Sequence, residues 1–228
     1  MTYTNNDYGK GLADAIAAAS EKAGMTVTIN TAHEDGKADY SAEVGALAAA
    51  GGDILVVAGY LDQGGLGIIR AALQTGAFET FELPGGMVGE SLPENVGPEL
   101  NGSYGQVAGH NPDAPGMQAL AGMLNGLDVS SPYTPESYDA AALFALAMQA
   151  AGSSDPADYV GKIMEVANAP GEKISVGELA KGLQILKDGG DIDFEGATSV
   201  ELVGPGEASG RYREVEVIDG KFESVKYY

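Results

Sequence analysis

Cysteine is absent from the sequence, which excludes a disulfide framework and any thiolate metal site. Basic residues are scarce. Twelve Lys+Arg stand against 33 Asp+Glu, a formal net charge of -21, and no basic cluster offsets it locally, so nucleic acid and anionic lipid surfaces are poor partners. Only two histidines occur, His33 and His110. They are spaced neither with each other nor with carboxylates as a metal-ligand set, and both read as loop residues. No apolar run approaches the roughly 20 residues of a membrane-spanning helix, and the N-terminus lacks a charged-then-apolar leader. The chain opens inside a strand-like run, as though something upstream were absent.

Catalytic signatures are missing as well. There is no Gly-x-Ser-x-Gly elbow, and the glycines of Gly59 to Gly67 lack both the Gly-Lys-Ser/Thr ending and the Gly-x-Gly-x-x-Gly spacing of phosphate-binding loops. A flexible loop with close helix packing is the plainer reading of that stretch. No enzyme activity, cofactor or metal is expected.

What is present is enough for a substantial core: 228 residues, 44% hydrophobic. Met1 to Thr4 reads as a strand, followed by a helix with Leu12, Ala15, Ile16, Ala19 and Ala23 on one face and Gly24 at its end. Thr26 to Thr31 alternates like a strand, with a loop from His33 to Lys37. Asp39 can cap a helix buried through Tyr40, Val44 and Leu47, which the Gly51-Gly52 pair stops. Ile54 to Ala58 is a continuous apolar strand. A helix with Leu66, Ile69 and Leu73 inward and a strand from Thr80 to Leu83 follow. Alternating units of this kind imply a parallel sheet whose strand-end loops, after Thr4, Thr31, Ala58 and Leu83, share one edge.

Gly109 to Pro115 marks a crossing out of this first domain. Asp139 to Ala151 is a helix apolar on almost every side through Leu143, Phe144, Leu146 and Met148, and such a helix must be covered all round. The elements expected downstream, helices over Ala157 to Val166 and Glu178 to Lys187 and a strand over Thr198 to Val203, are too few to cover it. Tyr212 to Ile218, Asp219-Gly220 and Lys221 to Tyr227 form a β-hairpin.

Three tyrosines, Tyr8, Tyr60 and Tyr133, fall in loops beside Gly or Pro, where a ring can be presented to a cleft; Tyr3 and Tyr40 read as packing. A phenol offers contact area at little entropic cost and one directional hydrogen bond. Tyr8, Tyr60 and the Pro84-Gly85-Gly86-Met87 loop are expected at a common rim. The alternative for Tyr8 is a ring that merely packs the first helical turn.

The stretch Thr2 to Gly11, the Asp39-Tyr40-Ser41-Ala42 helix start, Val57-Ala58-Gly59-Tyr60, Ser131-Pro132-Tyr133 and Glu136 to Ala141 together resemble the branched-chain amino-acid (Leu/Ile/Val) binding proteins. These are type I periplasmic binding proteins, the substrate receptors of ABC importers. The resemblance runs from Met1 to Tyr228. It implies an α/β fold of two Rossmann-like lobes that clamp a small apolar amino acid between them. Residues 1–108, completed by the hairpin within 211–228, resemble lobe two. Residues 109–210 resemble the returning, mostly helical part of lobe one, whose first half, with the loops that grip the ligand carboxylate, is missing.

From the same resemblance, Tyr8, Tyr60, Gly85 and Tyr133 are the expected ligand-binding positions. Gly85 departs from the family, which commonly has an acid there to accept from the ligand ammonium; Asp62 or Glu90 would have to substitute, or the ligand is not a plain amino acid. The implied partners are an amino-acid ligand and a membrane permease, in the periplasm for the intact parent, with a second copy of the chain as one cover for the incomplete lobe. The other reading is a ligand-sensing domain for an amide or aromatic acid. Weak binding or none is expected of this chain alone, because affinity comes from closure of both lobes.

Overall fold

Seven strands in the order β11-β10-β5-β4-β3-β1-β2 make the main sheet of the computed structural model, which describes residues 1–228. They are β1 (Thr2–Thr4), β2 (Thr31–His33), β3 (Leu55–Ala58), β4 (Phe81–Pro84), β5 (Tyr104–Ala108), β10 (Tyr212–Ile218) and β11 (Lys221–Tyr227). Strands β1 to β5 pair in parallel. Helices α1 (Asp7–Lys22), α2 (Ser41–Ala50), α3 (Leu66–Thr75) and α4 (Ser91–Val96) alternate with them.

The chain divides into two compact units. The first is Met1–Val107 with Arg213–Lys226 and Tyr228; the second is Ala108–Tyr212 with Tyr227. In the first, Leu55, Val57, Phe81 and Leu83 of the central strands meet Val44 and Leu47 of α2, Ile68 and Ile69 of α3 and Leu92 of α4. Each such side chain, fully buried, contributes about 1.5–3 kcal/mol. The β10–β11 hairpin turns through Asp219 and Gly220, both at positive φ (51° and 73°), the geometry a two-residue turn needs to match strand twist.

The second unit holds α5 (Pro115–Met123), α6 (Thr134–Ala151), α7 (Pro156–Tyr159), α8 (Ile163–Ala167), β6 (Glu172–Ser175), α9 (Leu179–Lys187), β7 (Ile192–Gly196), β8 (Leu202–Gly204) and β9 (Glu207–Ala208). Strands β6 and β7 are a parallel pair joined by α9, and Ile174 and Phe194 pack on Leu143, Leu146 and Ala147 of α6. The Asp139 carboxylate, 2% exposed, accepts from the amides of Ala197 (2.7 Å) and Thr198 (2.9 Å) and so ties α6 to the end of β7.

Several elements differ from the sequence reading. The second strand is Thr31–His33 rather than Thr26–Thr31: Val27 and Ile29 alternate, but the stretch that pairs with β1 begins at Thr31, in register with Thr2. His33 is therefore a buried strand residue and not a loop residue. On α1 the buried residues are Gly9 and Ala13, while Ala15 and Ala19 are exposed, so the inward stripe is rotated from the expected one. The β6–α9–β7 unit supplies two strands that the sequence reading lacked. Even so, Phe144 on α6 remains 47% exposed and borders a cavity of about 340 Å³ with Leu143, Ile163, Val200 and Leu202.

Candidate functional site

The parallel strands run in the spatial order 5-4-3-1-2. The chain leaves β1 for β2 on one side and returns to place β3 on the other, so the order reverses between β1 and β3. In open α/β sheets the crevice at the carboxyl ends of the two strands flanking such a reversal is where ligands bind. Tyr8 follows β1 and Tyr60 follows β3. Their rings stack with centroids 4.8 Å apart and planes inclined by 29°.

Local chemistry explains how each ring arrives there. Asn6 caps α1, its side-chain oxygen accepting from Gly9 N at 2.8 Å, a contact of about 1 kcal/mol. Tyr8 lies in the first turn of α1 and not in the loop, and it is 39% exposed. Tyr60 is extended (φ -120°, ψ 142°) ahead of a kinked turn over Leu61–Gly65 in which Gln63 and Gly64 leave helical geometry. The Asn6 side-chain amide donates to Gln63 Oε1 at 3.3 Å, joining the loop before Tyr8 to the turn after Tyr60.

Glycine sets the spacing at two points. A Cβ on Gly59 would collide with the Thr4 side chain, and one on Gly86 would collide with the Gly59 carbonyl and press on the Tyr60 ring. The Gly85–Met87 turn at the end of β4 can thus lie directly beside Tyr60. Tyr8, Tyr60 and the Gly85-Gly86 turn are brought together on the first unit. Tyr133 lies in the second unit, 50% exposed, ahead of α6 in a left-handed conformation (φ 66°).

Of the two acids expected to replace a carboxylate at Gly85, Asp62 sits in the turn just after Tyr60 and Glu90 just before α4, and both are exposed. The carboxylate that the sequence reading missed is Glu82. It is 8% exposed on β4, and burial pushes it up to about 7, with a Gln106 hydrogen bond opposing. Its period-2 place between Phe81 and Leu83 put it on the opposite sheet face from the apolar core, which gave no signal of burial.

Sequence reasoning also missed a cluster beneath the tyrosines. His33 is 1% exposed, with Nδ1 2.9 Å from Thr2 Oγ1 and Nε2 3.3 Å from Thr4 Oγ1. Burial lowers its basicity from the ordinary imidazole value. Tyr40 is buried, meets His33 edge-on at 6.2 Å and donates to the Glu34 carbonyl at 3.0 Å, so its packing role holds.

The model of a family described as periplasmic binding protein matches residues 1–172. The chain belongs to that family, whose members bind solutes and are not enzymes, and its α/β architecture is the type I periplasmic binding protein fold. It is 30% identical over 176 residues to Leu/Ile/Val-binding protein homolog 1 of Brucella melitensis, covering 76% of this chain and 45% of the relative. Among solved structures, a leucine binding protein, LivK, from Thermotoga maritima matches with a TM-score of 0.72 at 19% identity, over 99% of this chain and 59% of that one. A solute binding protein of an ABC transporter from Rhodopseudomonas palustris, in complex with p-hydroxybenzoic acid, matches with a TM-score of 0.67 at 18% identity, over 100% of this chain and 59% of that one. The chain spans about half the length of the curated relatives it matches. None of its helices is long and apolar enough to cross a membrane.

Proposed function

We propose that this chain is part of the substrate-binding component of an ABC importer and holds a small apolar amino acid, of the branched-chain class, against Tyr8 and Tyr60. The first unit acts as lobe two and the second as the returning part of lobe one, in a parent protein located in the periplasm and served by a membrane permease. The observation that carries this reading is the 4.8 Å stack of Tyr8 on Tyr60 at the strand-order reversal. Two stacked rings offer a flat apolar wall with hydroxyls at its edge, suited to an aliphatic side chain with a polar head. The Gly85-Gly86 turn adds backbone groups beside that wall, and Tyr133, on the second unit, is the ligand-binding position expected there.

One observation favours a second reading. Glycines and not an acid stand beside Tyr60, and burying an ammonium without a carboxylate partner costs several kcal/mol. An aromatic acid, the class named in the Rhodopseudomonas palustris complex, needs no such partner and stacks well on tyrosine. Titrating leucine, isoleucine and valine against 4-hydroxybenzoate and an aliphatic amide decides between them. Perturbation of Tyr8 and Tyr60 by the aliphatic amino acids supports the first reading, and perturbation by 4-hydroxybenzoate alone replaces it with the second.

A further inference from the structure

The Thr4 hydroxyl, beneath the tyrosine pair, has three neighbours at hydrogen-bond distance: the Gln63 carbonyl at 3.2 Å, His33 Nε2 at 3.3 Å and the Tyr60 amide at 3.4 Å. A hydroxyl has one proton and two lone pairs. The Gln63 carbonyl can only accept, so it takes the Thr4 proton. The Tyr60 N–H can only donate, so it occupies one lone pair. The other lone pair is open to a donor, and His33 Nε2–H is the donor in reach, with the Gln63 carbonyl also beside the ring.

That pattern assigns the imidazole the Nε2–H tautomer. With its proton on Nε2, the neutral ring keeps a lone pair on Nδ1, which accepts from the Thr2 hydroxyl at 2.9 Å. The order Thr2, His33, Thr4, then Gln63 and Tyr60, gives every N–H and O–H in the series an acceptor. It runs from the edge strand β2 and its neighbour β1 to the backbone of Tyr60.

We propose that His33 is a positioning residue for Tyr60: through Thr4 it holds the Tyr60 backbone, and gain of a second ring proton loosens that hold. A proton on Nδ1 sets an N–H against the Thr2 O–H, which must rotate away. The charged ring also competes with Thr4 for the Gln63 carbonyl, which already faces the imidazole. Thr4 then loses its fixed orientation, and Tyr60 loses its anchor.

The surroundings of His33 decide how easily this happens. Strand β1 presents only the Thr2 and Thr4 hydroxyls to the ring, and the turn after Tyr60 presents the Gln63 carbonyl. The loop after β2 brings Glu34 and Asp35, and α2 brings Glu43; all three carboxylates favour the charged ring, while burial, the larger effect, disfavours it. The Tyr40 ring lies edge-on at 6.2 Å. The neutral ring is therefore the resident form at neutral pH. A consequence for ligand affinity rests on the function proposed above; the hydrogen-bond chain itself does not.

The test is a pH titration of the ligand-free protein followed by ¹H–¹⁵N and histidine-ring NMR, with Thr4→Val and Thr4→Ser as variants. The Tyr60 amide shift is expected to follow the same midpoint as the His33 ring signals, and its exchange protection to fall at least threefold in Thr4→Val and return in Thr4→Ser. A Tyr60 amide that does not titrate with His33 overturns the proposal in the wild-type protein, whether or not Thr4→Val folds. Equal protection in Thr4→Val and wild type overturns it too. If no amino acid binds but Tyr60 follows His33, the ligand reading fails and the positioning role stands.

Discussion

Tyr8 and Tyr60 belong to different strand-end segments, yet their rings stack at 4.8 Å with planes 29° apart. The sheet order makes this possible, because β1 and β3 are neighbours with their carboxyl ends on one edge. Capping by Asn6 and the bare backbone of Gly59 against Thr4 then bring the two segments within ring contact, and Gly86 lets the β4 turn lie against Tyr60. If this pair is the ligand wall, truncating either ring removes both contact area and the partner that orients the other ring. In the intact parent protein, Tyr8→Ala and Tyr60→Ala are each expected to weaken amino-acid binding at least tenfold, about 1.4 kcal/mol, with the melting temperature little changed for the half-exposed Tyr8. Tyr133→Ala, measured in parallel, reports whether the second unit contributes; an unchanged affinity removes Tyr133 from the site.

Gly86→Ala tests the close approach of the β4 turn to Tyr60. The added methyl meets the Gly59 carbonyl, a backbone atom that cannot swing aside. A loss of about 1–3 kcal/mol is expected, read as a lower urea midpoint at unchanged slope. Loss of the upfield ring-current shifts of the tyrosine pair should accompany it. Gly89→Ala, where a Cβ meets nothing within contact distance, serves as the control.

Glu82 makes stability depend on pH in a specific sense. Its folded value is about 7 against an ordinary 4.5, raised by burial, so the folded state binds more protons than the unfolded one between those two values. The stability this group contributes is fully present below about pH 4.5 and is lost as pH rises through 7. Glu82→Gln keeps an amide partner for Gln106 and cannot ionise. It is expected to be more stable than wild type at pH 8, on the order of 2–3 kcal/mol, and close to it at pH 4.5, by urea unfolding at both. His33, whose folded value is lowered, has the opposite slope: its contribution is present above the ordinary imidazole range and lost as pH falls through the folded value.

Asp139→Ala leaves the amides of Ala197 and Thr198 without their buried acceptor. Stranding two buried donors costs about 1–3 kcal/mol for each. Faster hydrogen exchange at those two amides, with exchange in the main sheet unchanged, is the expected signature. Asp139→Asn, which retains one carbonyl oxygen, should fall between the two.

Much of this architecture is legible in the chain, for identifiable reasons. The hairpin follows from Asp219-Gly220 between two alternating runs, and the strand-end placement of Tyr60 follows from the apolar run before it. Other features are not local. Thr26 to Asn30 carries a strand-like alternation but finds no partner strand, so β2 forms at Thr31–His33, where the register with β1 is. The Ile192-Asp193-Phe194-Glu195 alternation does encode β7, a signal overlooked because its partner β6 exposes Glu172 and Lys173 and offers only Ile174 to the core. His33 carries no motif at all; its role exists only because Thr2 and Thr4, 31 and 29 residues away in sequence, lie on the adjacent strand.

The most direct measurement is an NMR titration of leucine into the ¹⁵N-labelled protein and its Tyr8→Ala variant, with 4-hydroxybenzoate as the competing ligand. The proposed function predicts leucine-dependent shifts at Tyr8, Tyr60 and Gly85, saturating more weakly than micromolar and strongly reduced in Tyr8→Ala. Shifts elsewhere with these three residues unmoved, or the same leucine affinity in Tyr8→Ala, would contradict it.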